Sequence, residues 1–115
     1  MCNTEELLAK NEISGVDLEH LLSERIKQRA DFFLVDVREE YEYSKKRIVG
    51  CDYLISLSNF FNKVQDIEKL KSKHIIVTCK LGGRSSQAQN QLRSLGFEKV
   101  INLSGGITNY KGEVI

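Results

Sequence analysis

A cysteine, two glycines and two cations lie close together in the stretch Cys79-Lys80-Leu81-Gly82-Gly83-Arg84-Ser85. β-Branched residues precede this stretch, and a pattern typical of a helix follows it. The order predicts a strand, a tight loop that Gly82 and Gly83 permit through positive φ, and a helix N-terminus that favours an anion. A thiol there loses its proton readily, and thiolate is the nucleophilic form. Cys79 is therefore the candidate nucleophile, although a cysteine at a strand end is also a common core residue.

The elements that position this loop alternate between helices and strands. The chain is expected to open with an N-terminal arm over 1–12 that is frayed or weakly helical, followed by a helix over roughly 16–29 after a capping box at Ser14 and Asp17 and by a strand over 32–35. A short exposed helix or loop over 39–46 comes next, then a strand region over 48–55 that Gly50 interrupts and a helix capped by Ser58. The last elements are the strand before Cys79, a helix ended by Gly96 and a strand over 97–103. This alternation predicts one α/β domain over 13–115 with a mostly parallel sheet. Ligands of such sheets bind beyond the carboxyl ends of the strands, where Asp36, Arg38 and Cys79 fall.

Composition excludes several classes of function. Lys and Arg total 17 against 16 for Asp and Glu, so bulk charge favours neither nucleic acid nor an anionic membrane as a partner. No apolar run approaches the roughly 20 residues of a membrane span, and the opening residues do not resemble a secretory signal. Cys2, Cys51 and Cys79 fit neither a disulfide framework nor a zinc site, which favours a reducing cytoplasm. His20 and His74 have no second ligand at metal spacing, so no metal is predicted.

Three blocks of residues resemble the rhodanese-like sulfurtransferase family, over roughly residues 13–110. They are the loop 79–85, then Asp36-Val37-Arg38 with Glu42-Tyr43, then Gly96-Phe97, Val100, Leu103, Gly105-Gly106-Ile107 and Tyr110. The resemblance implies a three-layer α/β sandwich, with helices flanking a mostly parallel central sheet. The chain departs from the family at Lys46-Arg47-Ile48-Val49-Gly50-Cys51, where Gly-His-Ile-x-Gly-Ala is common. Cys51, at the alanine position, is predicted to be a packing residue and not a second catalytic thiol.

The resemblance also implies sulfane-sulfur transfer in two steps. The Cys79 thiolate takes the outer sulfur of thiosulfate, a persulfide or a polysulfide, and a thiol or cyanide-like acceptor then removes it. Each step needs an exposed sulfur, so Cys79 Sγ is expected to be accessible at the loop. The backbone of the loop is predicted to form an anion-stabilising cradle without a metal or organic cofactor, from Lys80, Leu81, Gly82, Gly83, Arg84 and Ser85. A sulfur-accepting protein is a further candidate partner, and the chain is expected to be a monomer or a weak homodimer.

Asp36, Arg38 and Glu42 are predicted to support the loop. Asp36 could accept hydrogen bonds from it, and Arg38 could pair with Glu42 at the rim. A general-base role for Asp36 stays open, but an ionised thiol does not need one. Arg84 either attracts an anionic donor or pairs with a carboxylate that holds the loop.

Two other functions compete with sulfur transfer. Cysteine-dependent phosphatases also combine a cysteine and an arginine in one loop, in the pattern Cys-x5-Arg. Only four residues separate Cys79 from Arg84, and the smaller ring favours sulfur over a tetrahedral phosphate. A binding or regulatory module is the other alternative, because rhodanese-like domains can lose activity, usually together with the loop cysteine.

Overall fold

Five parallel strands form a single sheet across residues 3–115, the residues described by this computed structural model. The strands are β1 (Glu12–Ile13), β2 (Phe33–Asp36), β3 (Tyr53–Leu54), β4 (His74–Thr78) and β5 (Lys99–Leu103), in the spatial order β1-β5-β4-β2-β3. The helices are α1 (Thr4–Leu8), α2 (Gly15–Ile26), α3 (Glu40–Lys45), α4 (Phe60–Lys63), α5 (Gly83–Ser94) and α6 (Gly106–Asn109), with 3₁₀ turns at Leu57–Asn59 and Val64–Leu70. The predicted α/β architecture is confirmed.

Helices cover both faces of the sheet because its central strands are apolar on both sides. Val35 and Val77 face one side, where they share a core cluster with residues of α4 and α5. Their neighbours Leu34 and Ile76 face the other side and share a second cluster with residues of α1, α2 and α6. This alternation follows from the two-residue period of a strand, and it produces the expected three layers.

Local signals account for the first long helix. Ser14 and Asp17 form the predicted capping box, in which the Asp17 N–H donates to Ser14 Oγ and the Ser14 N–H donates to Asp17 Oδ2. The helix ends at Ile26, three residues before the predicted end, and Ile26 is 85% exposed. The apolar stripe of α2 contacts the second core cluster through the buried Leu18 and Leu21 and the partly buried Leu22.

The N-terminal arm is helical, which agrees with the weakly helical alternative, but it packs on the core and Glu12 belongs to β1. Residues 4–8 form α1, and Leu7 and Leu8 are buried in the second core cluster. Met1 and Cys2, which belong to the predicted arm, lie outside the described residues.

Two predictions for the middle of the chain are wrong in detail. The strand region over 48–55 is reduced to β3, and Ile48 instead forms an antiparallel bridge with Val114. The helix expected after Ser58 is one turn of α-helix between two 3₁₀ segments, and Ser58 does not cap it. Its hydroxyl donates to Glu39 Oε1 across a distance of 2.8 Å. Contacts between distant segments outweigh the local pattern at both places.

The carboxyl ends of β2 and β4 lie side by side. Asp36 is in register with Thr78, and the Val37 N–H donates to the Thr78 carbonyl at 2.9 Å. Residues that follow these strands, including Arg38 and Cys79, therefore leave the sheet at the same edge.

Candidate active site

The Cys79 loop is shaped by two glycines that lie far apart in sequence. Gly82 has φ +113° and directs its N–H to Cys79 Sγ at 3.1 Å, immediately before α5 begins. Gly106 packs so closely that an added Cβ would lie 2.5 Å from the carbonyl oxygens of Cys79 and Lys80. Gly83 is helical, and an added Cβ there meets no atom within 4 Å, so the expected need for positive φ at Gly83 is wrong.

Hydrogen bonds lower the pKa of the Cys79 thiol. Burial raises this pKa, but hydrogen bonding with the Ser85 hydroxyl and hydrogen bonds from the N–H groups of Ser85, Gly82 and Leu81 together lower it by more. The pKa therefore lies below the ordinary value for cysteine. Groups that donate to the charged form favour ionisation, as the loop sequence predicts.

Cys79 is much less accessible than we expected from its position in a glycine loop. The residue is 1% exposed and belongs to the first core cluster, whereas Lys80 and Leu81 at the tip of the loop are exposed. The groups that hold the sulfur also surround it. The expectation of an exposed sulfur is therefore wrong for this conformation.

The guanidinium of Arg84 donates two hydrogen bonds to the Glu42 carboxylate. The Nη1–Oε1 distance is 2.7 Å and the Nη2–Oε2 distance is 2.9 Å. These hydrogen bonds lower the pKa of Glu42 to about 2 and raise that of Arg84. Of the two roles left open for Arg84, the geometry shows the pairing with a carboxylate, which ties the first turn of α5 to α3.

Asp36 and Arg38 form a buried pair with each other. Nη2 of Arg38 lies 2.7 Å from Asp36 Oδ2, and Nε and the backbone N–H of Arg38 also donate to the carboxylate. Arg38 Nη2 donates further to the Lys46 carbonyl at 2.7 Å. The expected bonds from the loop to Asp36 and from Arg38 to Glu42 are therefore wrong. Through these bonds the two side chains stabilise the segment that contains α3, because Arg38 joins Asp36 at the end of β2 to the Lys46 carbonyl after α3.

A basic pocket lies beside the loop. It has a volume of about 360 Å³, and its lining includes Lys45, Lys46, Lys80 and Tyr41. None of these three lysines lies within 4.0 Å of a carboxylate in the part of the chain that the structure describes. The pocket therefore carries three cationic groups without direct partners in a chain that is nearly neutral overall.

Sequence reasoning missed Asn102, which lies behind the loop on β5. Its Oδ1 accepts a hydrogen bond from Ser85 Oγ at 2.5 Å, and Ser85 Oγ lies 3.3 Å from Cys79 Sγ. Both residues are buried. A polar residue inside an otherwise apolar strand was the available signal.

The other candidate groups do not form a second reactive centre. Burial raises the pKa of Cys51 to about 11, and its thiol donates to the Tyr53 carbonyl at 3.4 Å, in line with the predicted packing role. Within residues 3–115, no cluster of three or more His, Cys, Asp or Glu side chains is placed to hold a metal ion. No helix in that range is long and apolar enough to span a bilayer.

The domain is an α/β protein with a thiol held between the end of a parallel strand and a helix N-terminus. Comparison with known proteins identifies its family. The family model "Rhodanese-like domain" matches residues 18–113, and the chain belongs to that family. A crystal structure of a rhodanese-related protein from Thermoplasma volcanium is 27% identical, with a TM-score of 0.72 over 92% of this chain and 98% of that one.

Relatives of known sequence have diverse names and lengths. A protein named sulfurtransferase from Allochromatium vinosum is 30% identical over 83% of this chain and 85% of its own length. A tRNA uridine(34) hydroxylase from Cytophaga hutchinsonii is 32% identical over 84% of this chain. This chain spans only 32% of the length of that hydroxylase and 27% of a rhodanese-like/PpiC domain-containing protein from Arabidopsis thaliana.

Proposed function

We propose that this protein is a sulfurtransferase that carries sulfane sulfur on Cys79. The observation that supports the proposal most is the contact of 3.1 Å between the Gly82 N–H and Cys79 Sγ at the start of α5. Donors fixed in this position stabilise negative charge on sulfur without reorganisation during the reaction. Similarity to a protein named sulfurtransferase agrees with this function.

The reaction needs only a thiolate and a donor with a sulfur–sulfur bond. The Cys79 thiolate attacks the sulfane sulfur of thiosulfate, the S–S bond breaks, and sulfite leaves with the electron pair. With a persulfide R–S–SH, Cys79–S–SH forms and R–S⁻ leaves. An acceptor thiolate or cyanide then attacks the outer sulfur and regenerates the Cys79 thiolate. The N–H groups that face Sγ stabilise the thiolate both before the first step and after the second.

The basic pocket supports an anionic donor. Lys45, Lys46 and Lys80 attract a negatively charged molecule to the edge of the loop, and Lys80 directly follows Cys79. A volume of about 360 Å³ also admits donors larger than thiosulfate, such as organic persulfides. A small anionic donor and a thiol or cyanide-like acceptor are therefore the proposed partners, and the free thiols Cys51 and Cys79 suit a reducing cytoplasm.

Access to the sulfur requires movement of the loop tip, because Cys79 is 1% exposed. The side chains of Lys80 and Leu81 are exposed, so they can shift without uncovering the core. The neighbouring backbone is held more firmly, because Ile107 and Thr108 donate to the carbonyls of Cys79 and Lys80. We expect the donor to displace the tip while the base of the loop stays in place.

The test is formation of thiocyanate from thiosulfate and cyanide. Wild type should produce thiocyanate and Cys79→Ser should not, whereas Cys51→Ser serves as the matched control and should retain activity. An aryl phosphate tests the phosphatase alternative, which the occupied guanidinium of Arg84 disfavours. Phosphate release without thiocyanate formation would overturn the proposal.

A binding or regulatory module is the second candidate, and the burial of Cys79 is the observation that favours it. A domain of that kind would fold normally and bind partners but would not accept sulfur. Absence of a persulfide on wild type after treatment with thiosulfate and with glutathione persulfide would support this candidate over the enzyme.

A further inference from the structure

A chain of polar groups runs from the reactive sulfur into the sheet. Ser85 Oγ lies 3.3 Å from Cys79 Sγ, 2.5 Å from Asn102 Oδ1 and 3.2 Å from the Gly82 carbonyl. On its other side, Asn102 Nδ2 lies 3.3 Å from Glu12 Oε2 and 3.4 Å from the Gly82 carbonyl. Ser85 is 0% exposed and Asn102 is 4% exposed, so these groups must satisfy one another.

The Ser85 hydroxyl has only one proton, and three acceptors lie within reach of it: Cys79 Sγ, Asn102 Oδ1 and the Gly82 carbonyl. Two oxygens 2.5 Å apart need a proton between them, so the proton of Ser85 points to Asn102 Oδ1. The lone pairs of Ser85 Oγ then face Cys79 Sγ and can accept a hydrogen bond only from an S–H group. In this orientation the hydroxyl favours the neutral thiol, and it lowers the Cys79 pKa only when its proton turns to sulfur.

Ionisation of the Cys79 thiol reverses the direction in which the Ser85 hydroxyl must donate its hydrogen bond. The hydroxyl must turn its proton to the thiolate, and its lone pairs then face the amide. Asn102 satisfies them if its side-chain amide rotates by half a turn, so that Nδ2 donates to Ser85 Oγ. Its Oδ1 then faces the Gly82 carbonyl and Glu12 Oε2, two acceptors that oppose the rotation, and only the exposed Glu12 is free to move away. The proton lost from sulfur goes to solvent, and the proton of Ser85 only changes direction.

We propose that Asn102 is a positioning residue, whose amide orientation decides whether the Ser85 hydroxyl stabilises the thiol or the thiolate of Cys79. The inference rests on the proposed function only because thiolate is the form that attacks a sulfur donor. Asn102 contacts Ser85 and not Cys79 in these hydrogen bonds, so it acts through the hydroxyl.

The charged groups around the loop have other partners or positions. Arg84 on α5 is paired with Glu42 on α3, and Asp36 after β2 is paired with Arg38. Lys80 lies in the exposed tip of the loop. The remaining charged neighbour is Glu12 on β1, which accepts a hydrogen bond from Asn102 Nδ2. None of these charged side chains is hydrogen-bonded to the Ser85 hydroxyl, so the groups that compete with the amide for its proton are Cys79 Sγ and the Gly82 carbonyl.

The first experiment measures what Ser85 contributes to the acidity of Cys79 when residue 102 changes. The Cys79 pKa is read from the carbon-13 shift of its Cβ, with and without Ser85→Ala, in three backgrounds: wild type, Asn102→Leu and Asn102→Asp. With leucine the hydroxyl can donate to sulfur or to the Gly82 carbonyl, and the charged thiolate is the stronger acceptor, so Ser85→Ala should weaken thiolate formation about tenfold. With aspartate, which only accepts, Ser85→Ala should have no such effect, and wild type should be intermediate. Equal effects of Ser85→Ala in all three backgrounds would overturn the proposal.

A second measurement needs no substitution at residue 102 and covers the case in which a variant does not fold. The side-chain NH₂ resonances of Asn102 in wild type should shift with the same pH midpoint as the Cβ of Cys79, and those of the exposed Asn90 should not. Asn102 signals that ignore the titration of Cys79 would contradict the proposal. Neither measurement requires a sulfur donor. The positioning role can therefore fail while sulfur transfer is observed, and sulfur transfer can be absent while Asn102 is shown to position Ser85.

Discussion

Replacement of Glu42 by glutamine tests how the loop is held in place. The substitution preserves the shape of the side chain but removes the negative charge that Arg84 binds through two hydrogen bonds. It also removes one acceptor, because an amide has a single oxygen. We expect Glu42→Gln to fold and to be less stable than wild type at neutral pH.

The pKa of Glu42 sets the size of the expected loss. Arg84 lowers it from the ordinary value of 4.5 to about 2. This difference corresponds to an upper limit of about 3 kcal/mol at neutral pH. The Arg84 side chain is 36% exposed and therefore screened by solvent, so we expect a smaller loss of about 1 to 2 kcal/mol.

The sign of the pH dependence follows from the lowered pKa. The stabilisation is complete above 4.5, where the unfolded chain is also ionised, and is lost as the pH falls towards 2. Urea unfolding of both proteins across this range should therefore show a difference that shrinks with acidity. Glu40→Gln on the exposed side of α3 is the matched control and should change stability by less than about 0.5 kcal/mol. A loss at Glu42 that equals the control, or that does not vary with pH, would refute the reasoning.

Two further predictions concern the loop and its pocket. Gly82→Ala should destabilise the protein by about 1 to 2 kcal/mol and slow sulfur transfer, because Gly82 has a positive φ that alanine rarely adopts. Gly83→Ala, at a helical position, should be neutral. Urea unfolding and the thiocyanate assay compare the two variants. The double variant Lys45→Gln/Lys46→Gln should raise KM for thiosulfate about two- to tenfold and weaken its salt dependence, while Lys99→Gln at the opposite edge of the sheet should not. Equal effects of the two glycine variants, or of the double lysine variant and the Lys99 control, would count against these assignments.

The position of the loop and the strands apart from β1 were predictable because their signals are local, whereas β1 lies where the sequence predicts the N-terminal arm and its boundary. A run of β-branched residues ends at Cys79, a glycine follows, and a helix begins, and each feature is visible within a few residues. The capping box at Ser14 is equally local and is confirmed. Parallel strands then place Asp36 and Cys79 at one edge without further information.

The partners within the site were not predictable in the same way. Arg84 and Glu42 lie 42 residues apart in sequence, and the choice between Arg84 and Arg38 as the partner of Glu42 depends on how α3 packs. The burial of Cys79 depends on Gly106, which allows the chain after β5 to close against the loop. Both facts belong to tertiary packing, which residue patterns near Cys79 do not record.

The most direct measurement of the central claim is the intact mass of the protein after treatment with thiosulfate. Wild type should gain about 32 Da, the mass of one sulfur atom, and lose it again when cyanide or a thiol is added. Cys79→Ser should gain nothing, and Cys51→Ser should behave as wild type. An adduct that persists in Cys79→Ser, or a wild type that accepts sulfur from neither thiosulfate nor glutathione persulfide, would contradict the claim that Cys79 carries sulfur.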